Sequence, residues 1–500
     1  MTINTPEAQS LSFAHGKLAT QSRVKINFPG TLKNITIASF IYVGGFLLLG
    51  LLSASDLLDE QFALIGLHLL AALSFYIYWR LEPWGSARYD CFGAAILLLS
   101  IGLRFLSAFD TLFYGTRFDV WPTTIMVDSS LLSLHFKGEA IPFFGILLMV
   151  ATWRLTVQDK LGRLTFLWGT VLSNKKHFMI LYGLAVFTQV LIRAVNIDFG
   201  AMAQLFQIIY STGVAAIYFL ARSNVKAKPS AWLIKAVLLG LPLSILALSG
   251  GMKEYIFLPL IPAAIIAWLT FSSVAARLGM VIMGISVLSI AQIYVGYVRQ
   301  TAWGGTDRSY SAKELVAGAI ANSDEDSIAN GVDSMLSRMN LSSAHAITVA
   351  LAERDGFIPV EIFGGIPAGF IPRILWPDKP ILRPGGEHTQ RIRGSTQDIE
   401  EVDSATSAGF FPEIYLGGGI FALILFSMLY GYLVGKIQLN IFFQLPASAT
   451  AVFNYMMFYS AVRFDERTIA YALTGIVLSY ILMLFIFKVL ALMPLGGRRS

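Results

Sequence analysis

Five basic residues lie close together in a proline-rich stretch near the C-terminal third of the chain. The stretch FIPRILWPDKPILRPGGEHTQRIRG covers residues 370–394, and its only acidic residues are Asp378 and Glu387. Its cations are Arg373, Lys379, Arg383, Arg391 and Arg393. Guanidinium groups bind phosphate oxygens through forked hydrogen bonds. Several of them converging on one place therefore favour a polyanionic ligand, with a diphosphate as the leading candidate.

The sequence around this stretch is strongly apolar. Hydrophobic residues make up 55% of the 500 residues and charged residues only 14%. A soluble protein of this length requires far more charge on its surface. Apolar runs of about 20 residues, the length that crosses a hydrocarbon core of ~30 Å, recur along the chain. The sequence therefore predicts an all-α, polytopic membrane protein.

Twelve membrane spans are predicted from these apolar runs. The fourth is short and follows SSLLSLHF, a segment that could instead be interfacial or re-entrant. The predicted spans are 35–54, 61–79, 91–109, 139–153, 177–195, 200–221, 231–249, 255–271, 279–297, 415–435, 447–462 and 469–491.

Basic residues in the short loops predict the orientation. Cytoplasmic loops carry an excess of Lys and Arg, and alternate loops of this chain do so, whereas the intervening ones, such as SASDLLDEQ (53–61), are acidic or neutral. Both termini are therefore expected in the cytoplasm. The basic set comprises Lys17, Arg23, Lys25, Lys33, Arg80, Arg88, Arg154, Lys160, Arg163, Lys175, Lys176, Arg222, Lys226, Lys228, Arg277, Lys436, Arg498 and Arg499.

This orientation divides the chain into five segments and places one large loop outside. The segments are a cytoplasmic tail at 1–34, transmembrane helices 1–9 at 35–297, a large periplasmic loop domain at 298–410, transmembrane helices 10–12 at 411–491 and a tail at 492–500. The loop holds ten Lys or Arg and fifteen Asp or Glu. The cations of 370–394 are thus a local concentration within an acidic domain. The loop begins with a predicted helix after SAKE (311–314), and SSAHAITVALAER (342–354) also has helical spacing.

Further cations are predicted near the same outer level. Arg104 and Arg193 lie inside apolar segments toward their outward ends, while Lys253 and Arg299 end outward-facing runs. These residues could contribute to the same anion site. The alternative for Arg104 and Arg193 is that each side chain reaches a lipid phosphate at the membrane surface.

Several other chemistries find no support in the sequence. The six histidines, at 15, 68, 135, 177, 345 and 388, have no metal-ligand spacing, and no Walker-type loop, nucleophile elbow or dinucleotide motif occurs. DED (324–326) is better explained by acidic residues at a helix N-terminus than by a metal site. LGGGI (416–420) indicates close helix packing. FIPVEIFGGIPAGFIPRILWP (357–377) is too apolar for water and too rich in proline for a regular span, so we expect it to dip into the interface.

Two stretches carry a resemblance to a known family. FIPRILWPDKP resembles a segment typical of bacterial oligosaccharide repeat-unit polymerases, the Wzy-like O-antigen polymerase family. SAGFFPEIYLGGGIFALILFSMLYGYLVGK (407–436) is similar to the block that follows it there. SGGMKEY (249–255) and YVRQ (297–300) also fall where that family has a polar turn and an outward arginine. The motifs cover about 250–436, and the layout of spans around one large outer loop extends the resemblance.

The resemblance implies a GT-C-like fold and a glycosyltransferase of the bacterial inner membrane with its active site facing the periplasm. Such enzymes transfer a growing glycan from polyprenyl diphosphate to an incoming lipid-linked repeat unit. The implied partners are this donor and acceptor, membrane lipid and, as a further candidate, a chain-length regulator. Neither a cofactor nor a metal is expected. Nucleic acid need not be invoked, because the cytoplasmic loops account for the net charge of +6.

The predicted site residues follow from this reaction. The outer cations are expected to stabilise the leaving diphosphate. The proton of the attacking hydroxyl is taken by an acid–base residue or, as the alternative for similar membrane glycosyltransferases, without a dedicated protein base. For the base, Glu413 is preferred over Glu387, His388, Asp378 and Glu254, although Glu413 could equally be a structural carboxylate paired with an arginine. The predicted catalytic residues are Glu413, His388 and Arg373. The predicted substrate-binding residues are Arg299, Arg373, Lys379, Arg383, Arg391, Arg393, Arg193, Arg104, Lys253 and Trp376.

Other functional classes remain open at this point. A lipid-oligosaccharide flippase or transporter predicts ionisable residues along an aqueous path at the bilayer midplane, whereas charge in this sequence gathers toward one surface. An O-antigen ligase has the same shape and the same need for diphosphate contacts. A chain-length regulator is expected to have few spans and long coiled-coil loops, which the sequence lacks.

Overall fold

A computed structural model shows a helical bundle. The structure describes residues 28–84, 92–115, 131–157, 175–194, 203–224, 227–248, 256–270, 312–321, 342–371, 408–462 and 468–492, with a few residues between 273 and 333 and at 376 and 388. No strand occurs in this part of the chain. The all-α prediction is confirmed to that extent.

Fifteen α-helices follow one another along the described residues, and we number them in chain order. α5 continues into a π-helical turn, Val190–Ala194, and a 3₁₀ turn, Leu258–Leu260, precedes α8. The helices are α1 Phe28–Ala54, α2 Glu60–Leu81, α3 Phe92–Tyr114, α4 Leu131–Val157, α5 Lys175–Gln189, α6 Ala203–Ala221, α7 Pro229–Ala247, α8 Ile261–Thr270, α9 Ala312–Ala321, α10 Ser342–Asp355, α11 Pro359–Phe363, α12 Gly365–Phe370, α13 Phe410–Gln444, α14 Ala447–Val462 and α15 Ile469–Leu492.

Seven of the described helices are long and apolar enough to cross a membrane, namely α1, α2, α3, α4, α7, α13 and α15. Helices lie at every predicted span except the ninth, 279–297, which falls largely outside the described residues. Apolar side chains cover the outside of several of them; Phe421 on α13, for example, is 84% exposed. A multi-pass membrane protein explains this surface, since lipid tails replace water there. The number twelve stays a prediction.

The fourth span differs from the expectation. Within SSLLSLHF (129–136), residues 131–136 are not a separate interfacial piece, because they begin α4, which runs without interruption from Leu131 to Val157 and includes Pro142. Its N-terminus is held by α2: the backbone N–H of Leu132 donates to Glu60 Oε1 at 3.1 Å. A carboxylate at this position satisfies a helix-end amide that has no partner within the helix.

α4 and α13 form the central helix pair, and glycines let their backbones approach closely. Phe411 packs against Gly145, and Gly431 faces the Met149 carbonyl. Farther along, the buried Trp153 Nε1 donates to Gln438 Oε1 at 2.6 Å. Small residues at helix contacts are the usual basis of packing between membrane helices, because lipid supplies little hydrophobic drive for association.

α13 is broken near its start, and a helical hairpin is inserted at the break. Gly418 and Gly419 leave helical geometry, with φ +64° at Gly419, a value that favours glycine. The Leu416 carbonyl accepts a hydrogen bond at 3.0 Å from the Ile358 N–H, which immediately precedes α11. The ring of Phe363, at the end of α11, packs on Gly417. LGGGI therefore makes a break filled by the α11–α12 hairpin, rather than a close contact between two regular helices.

A buried ion pair lies near the predicted cytoplasmic end of the bundle. Arg154 Nε is 3.7 Å from Glu82 Oε1, and both side chains are buried. Thr31 and Asn34 of α1 also donate to the Glu82 carboxylate, each at 3.2 Å. Arg154 was assigned to a cytoplasmic loop in the sequence analysis. It instead belongs to the last turn of α4, where it links α4 to the end of α2.

The close approach of α4 and α13 gives a test of the fold. Gly431→Leu places a side chain against the backbone of Met149 and Trp153. We expect it to destabilise the purified protein by about 1–3 kcal/mol, because the backbone cannot move aside without disturbing the core. Gly44→Leu on α1, where nothing lies within 4 Å, is the matched control. Thermal unfolding in detergent measures both; equal melting temperatures would contradict the packing.

Candidate functional site

A cluster of buried ionisable side chains lies in the predicted outward half of the bundle, with Glu139 of α4 at its centre. Arg104 Nε of α3 is 2.5 Å from Glu139 Oε2, and the Arg104 and Glu139 side chains are only 4% and 1% exposed. His68 Nδ1 of α2 is 3.3 Å from Glu139 Oε1 and equally buried. Three spans thus contribute side chains around one carboxylate. We use the name Glu139 cluster for Glu139, Arg104 and His68 together with the buried His135, His345 and His388.

α4 and α1 each contribute a further buried side chain to the region around Glu139. His135 precedes Glu139 by four residues, one helical turn, so the two side chains share a face of α4, and His135 is buried. Tyr42 of α1 is also buried and stacks on Phe143 with ring centroids 4.4 Å apart. A charge inside a membrane bundle is costly unless it is paired. The Glu139–Arg104 contact meets that requirement.

The outer helix α10 closes the cluster from the side of the large loop. Every residue from 344 to 352 is buried. A Cβ atom added to Gly138 of α4 would lie 2.6 Å from the backbone nitrogen of Ala346. The neighbouring His345 is buried and interacts electrostatically with Glu139. α10 is thus seated directly on α4 at the level of the Glu139 cluster.

His388 joins α10 from a distant part of the loop. Its Nε2 lies 3.2 Å from the Thr348 hydroxyl oxygen, and that hydroxyl donates to the Ala344 carbonyl at 2.8 Å. With the single hydroxyl hydrogen directed at Ala344, His388 Nε2 is the donor and its Nδ1 is left as an acceptor. Burial, followed by the charge of His345, lowers the pKa of His388 to about 4. The imidazole is therefore neutral at pH 7.

Glu413 has a structural partner. Its Oε2 accepts a hydrogen bond at 2.6 Å from the backbone N–H of Ile469, the first residue of α15. A carboxylate at a helix N-terminus is stabilised by the positive end of the helix dipole. Glu413 therefore makes a structural interaction of the kind considered as its alternative role, and one of its partners is a helix-end amide.

Of the remaining predicted site residues, few belong to the described part of the chain. Trp376 is 38% exposed, which fits a place at a surface. Arg193 lies in the π-helical turn that ends α5. The others fall outside the described residues and stay predictions; they are Lys253, Arg299, Arg373, Lys379, Arg383, Arg391 and Arg393.

Arg104 does not reach the lipid surface. Its side chain is buried and its charge is balanced by Glu139, so the lipid-phosphate alternative is wrong for this residue. The same pairing makes Arg104 a weaker candidate for a diphosphate ligand than an arginine without an internal carboxylate partner. A substrate phosphate would have to compete with Glu139.

The Glu139 cluster is not predicted by the sequence patterns. The histidines at 68, 135, 345 and 388 are scattered along the chain but are all buried in this region. One signal was present: HFKGE (135–139) has two ionisable residues one helical turn apart in an otherwise apolar run. No group of three or more His, Cys, Asp or Glu residues suited to a metal ion occurs among the described residues.

The Glu139 cluster positions the large loop and, in this conformation, exposes no side chain for ligand binding. All members of the Glu139 cluster are at most 5% exposed, so none is open to a sugar or a diphosphate in this conformation. What the cluster can do is fix α10 on the bundle. The hairpin α11–α12, which follows α10 directly, is then held beside α13, and His388 is held on α10 through Thr348.

Comparisons with known proteins identify a family without a described activity. A family model described as a domain of unknown function (DUF8712) matches residues 165–495. The match includes α5–α15 and thus the outer helix α10, the hairpin and the broken helix, while α1–α4 precede it. No curated protein and no solved structure matches the chain.

The Glu139–Arg104 pair gives a test of the cluster. Glu139→Gln leaves the Arg104 charge buried without its counter-charge, and we expect a loss of about 3–5 kcal/mol. Lys137→Ala, two residues away on α4, removes an exposed pair with Glu353 and should cost only about 0–1 kcal/mol. Unfolding of the purified variants measures both losses. The double variant Glu139→Met with Arg104→Met should be more stable than either single variant; equal losses in Glu139→Gln and Lys137→Ala would contradict the assignment.

Proposed function

We propose that this chain, which belongs to the DUF8712 family, is a bacterial inner-membrane glycosyltransferase that polymerises polyprenyl-diphosphate-linked oligosaccharide repeat units. In this proposal the chain has twelve spans, both termini are cytoplasmic and the large loop faces the periplasm. The product is an O-antigen or an exopolysaccharide. The resemblance at 370–380 and 407–436 supplies the substrate class.

The observation that carries the proposal is the position of the hairpin. α11 packs on the break in α13, and α12 packs on α15, where Gly369 meets Thr474. Arg373 lies two residues after Ile371, the residue that directly follows α12. Two residues of extended chain reach about 7 Å. Arg373 is therefore within reach of α13 and α15, and we propose that the headgroup of a lipid-linked diphosphate binds there.

The proposed reaction uses the outer cations as charge stabilisers. The acceptor hydroxyl attacks the anomeric carbon of the donor glycan, the bond from that carbon to the diphosphate oxygen breaks, and the hydroxyl proton passes to a base. The diphosphate leaves with its electron pair, and guanidinium groups from 370–394 stabilise it. Arg373 is the proposed principal contact. Glu413 is the preferred candidate for the base in this proposal. His388 stays a candidate only in a conformation that opens its surroundings, because it is 5% exposed here.

Packing of the bundle disfavours a transporter. Along α4, the two ion pairs at Glu139 and Arg154 are about 22 Å apart. Between these two ion pairs, aromatic rings fill the space that separates the described helices α1, α2 and α4. The centroid of the Phe143 ring lies 4.4 Å from that of Tyr42 and 4.8 Å from that of Phe75. A flippase or transporter requires a polar path, and aromatic packing leaves no room for one between these three described helices.

A glycan profile distinguishes the proposed polymerase from its alternatives. A strain that lacks this protein should carry only single-repeat glycan on its surface. Absence of any surface glycan would indicate a flippase, and polymer that stays attached to the carrier would indicate a ligase. Reconstitution of the purified protein with lipid-linked repeat units should then yield polymer in the presence of EDTA.

Arg373 provides the sharpest test of the diphosphate site. Arg373→Ala should slow transfer roughly ten- to a hundredfold, because a hydrogen bond to a charged group contributes about 1.5–3 kcal/mol. Arg373→Lys keeps the charge but loses the fork, and its rate should fall between Arg373→Ala and the unaltered enzyme. Polymer length on gels, at matched membrane levels, is the measurement. Long chains of normal distribution from Arg373→Ala would exclude this residue from the site.

Glu413→Gln separates the two roles of Glu413. The amide oxygen of glutamine can still accept the Ile469 N–H, so the helix end keeps its partner and the protein should fold. If Glu413 is the base, transfer should fall about a hundredfold or more while thermal stability stays near that of the unaltered protein. Retained transfer would leave Glu413 with the structural role alone and direct attention to His388.

A further inference from the structure

Cations gather where α5 begins and where α6 passes into α7, at the predicted cytoplasmic end of the bundle. Among the described residues of these helices and their connection they are Lys175, Lys176, Arg222, Lys228 and Lys235. Neither α5 nor the stretch 203–247, which includes α6 and α7, contains an Asp or a Glu. The three helices therefore bring no carboxylate of their own to balance this charge.

Arg222 is held in place by two aromatic side chains. Its guanidinium carbon lies 5.3 Å from the ring centroid of Trp232 on α7 and 5.5 Å from that of Tyr218 on α6. Its Nη1 also donates to the Tyr218 hydroxyl at 2.6 Å. The indole Nε1 of Trp232 donates to the Asn224 carbonyl at 2.8 Å, which fixes this ring at the helix end. Tryptophan at the end of a membrane helix marks the level of the lipid headgroups.

Lys235 points back toward the same helix end. Its Nζ donates to the Leu220 carbonyl in the last turn of α6 at 2.7 Å and lies 3.1 Å from Ser223 Oγ. Ser223 directly follows Arg222 in the chain. The half-buried ammonium group of Lys235 and the guanidinium group of Arg222 are thus attached to the same turn between α6 and α7.

Two further cations complete this group. Lys228, Trp232 and Lys235 are four and three residues apart, so they share one face of α7. Lys175, the first residue of α5, lies near enough to Lys235 to act on it electrostatically. Lys175 and Lys228 are both exposed. Like charges repel one another, so an anion that enters among these four cations is bound favourably.

An apolar stripe on α7 runs inward from these cations. Ile234, Leu238 and Leu241 are spaced by four and three residues and are 59%, 63% and 40% exposed. Acyl chains can lie along such a stripe while a phosphate stays at the helix end. A phospholipid with a negatively charged headgroup matches both surfaces, whereas inorganic phosphate matches only the cations.

We propose that α5, α6 and α7 form a binding site for one anionic phospholipid. Its phosphate lies between Arg222 and Lys235, with Lys175 and Lys228 at the rim, and its acyl chains lie on the stripe of α7. Basic pockets between membrane helices bind lipid headgroups in this way. The general excess of cations in cytoplasmic loops accounts for the sign of the charge here, but not for its fixed arrangement around Trp232. The site does not depend on the proposed glycosyl transfer.

Native mass spectrometry of the full-length protein tests the site. The protein, purified in an uncharged detergent, is mixed with equal amounts of phosphatidylglycerol and phosphatidylcholine, and the lipids that it retains are counted. We expect at least a tenfold preference for one bound phosphatidylglycerol. A cation near the headgroup contributes about fivefold, so Lys175→Gln with Lys228→Gln should reduce the preference to below threefold. Both side chains are exposed, so this double variant should fold.

A second double variant, Lys33→Gln with Lys436→Gln, is the matched control. These two exposed lysines belong to α1 and α13, and their loss changes the net charge by the same amount. The control should keep its preference to within twofold. Arg222→Lys keeps the charge but loses the planar guanidinium, and its preference should be intermediate.

Three outcomes would overturn the proposal. The first is a preference below threefold in the unaltered protein, a comparison that needs no variant. The second is an equal loss in the two double variants, which would show that only the overall charge matters. The third is displacement of the bound phosphatidylglycerol by inorganic phosphate at the same concentration, because the acyl chains would then contribute nothing.

Discussion

The need to neutralise one buried carboxylate shapes the half of the bundle that contains the N-terminal part of α4. Glu139 lies within a membrane-crossing helix, where an unpaired charge would be prohibitively costly. Arg104 from α3 and His68 from α2 meet it, and the outer helix α10 covers it with His345. Four helices are thus fixed to one another through a single side chain. The outer loop is joined to the bundle at this point and is not simply tethered by its ends.

The break in helix α13 is the second constraint on the structure. The position of the hairpin that fills it depends on the first constraint, the neutralisation of Glu139. The break frees the Leu416 carbonyl, and the Ile358 N–H satisfies it. Ile358 follows α10 by only a few residues, so the seat of α10 on α4 determines where the hairpin α11–α12 can enter. In the sequence the hairpin directly precedes the cationic stretch. An electrostatic requirement inside the bundle is in this way connected to the position of the hairpin.

A glycosyltransferase for lipid-linked substrates needs cations at the membrane surface and a loop that holds them there. The family match spans α10, the hairpin and α13 but not α2, α3 or α4, which supply Glu139 and its first partners.

Much of this could be read from the sequence alone, because it depends on local composition. Apolar runs of bilayer length predict helices such as α1, α2 and α15, and the helical spacing of 342–354 predicts α10, which the structure places at Ser342–Asp355. Only the tertiary structure decided which polar residues meet. His68, Arg104, Glu139 and His345 are separated by tens to hundreds of positions, and a side chain's burial is set by the helices packed around it. The break at Gly418–Gly419 likewise needed the hairpin that fills it, since three glycines in a row are compatible with a close helix contact as well as with a break.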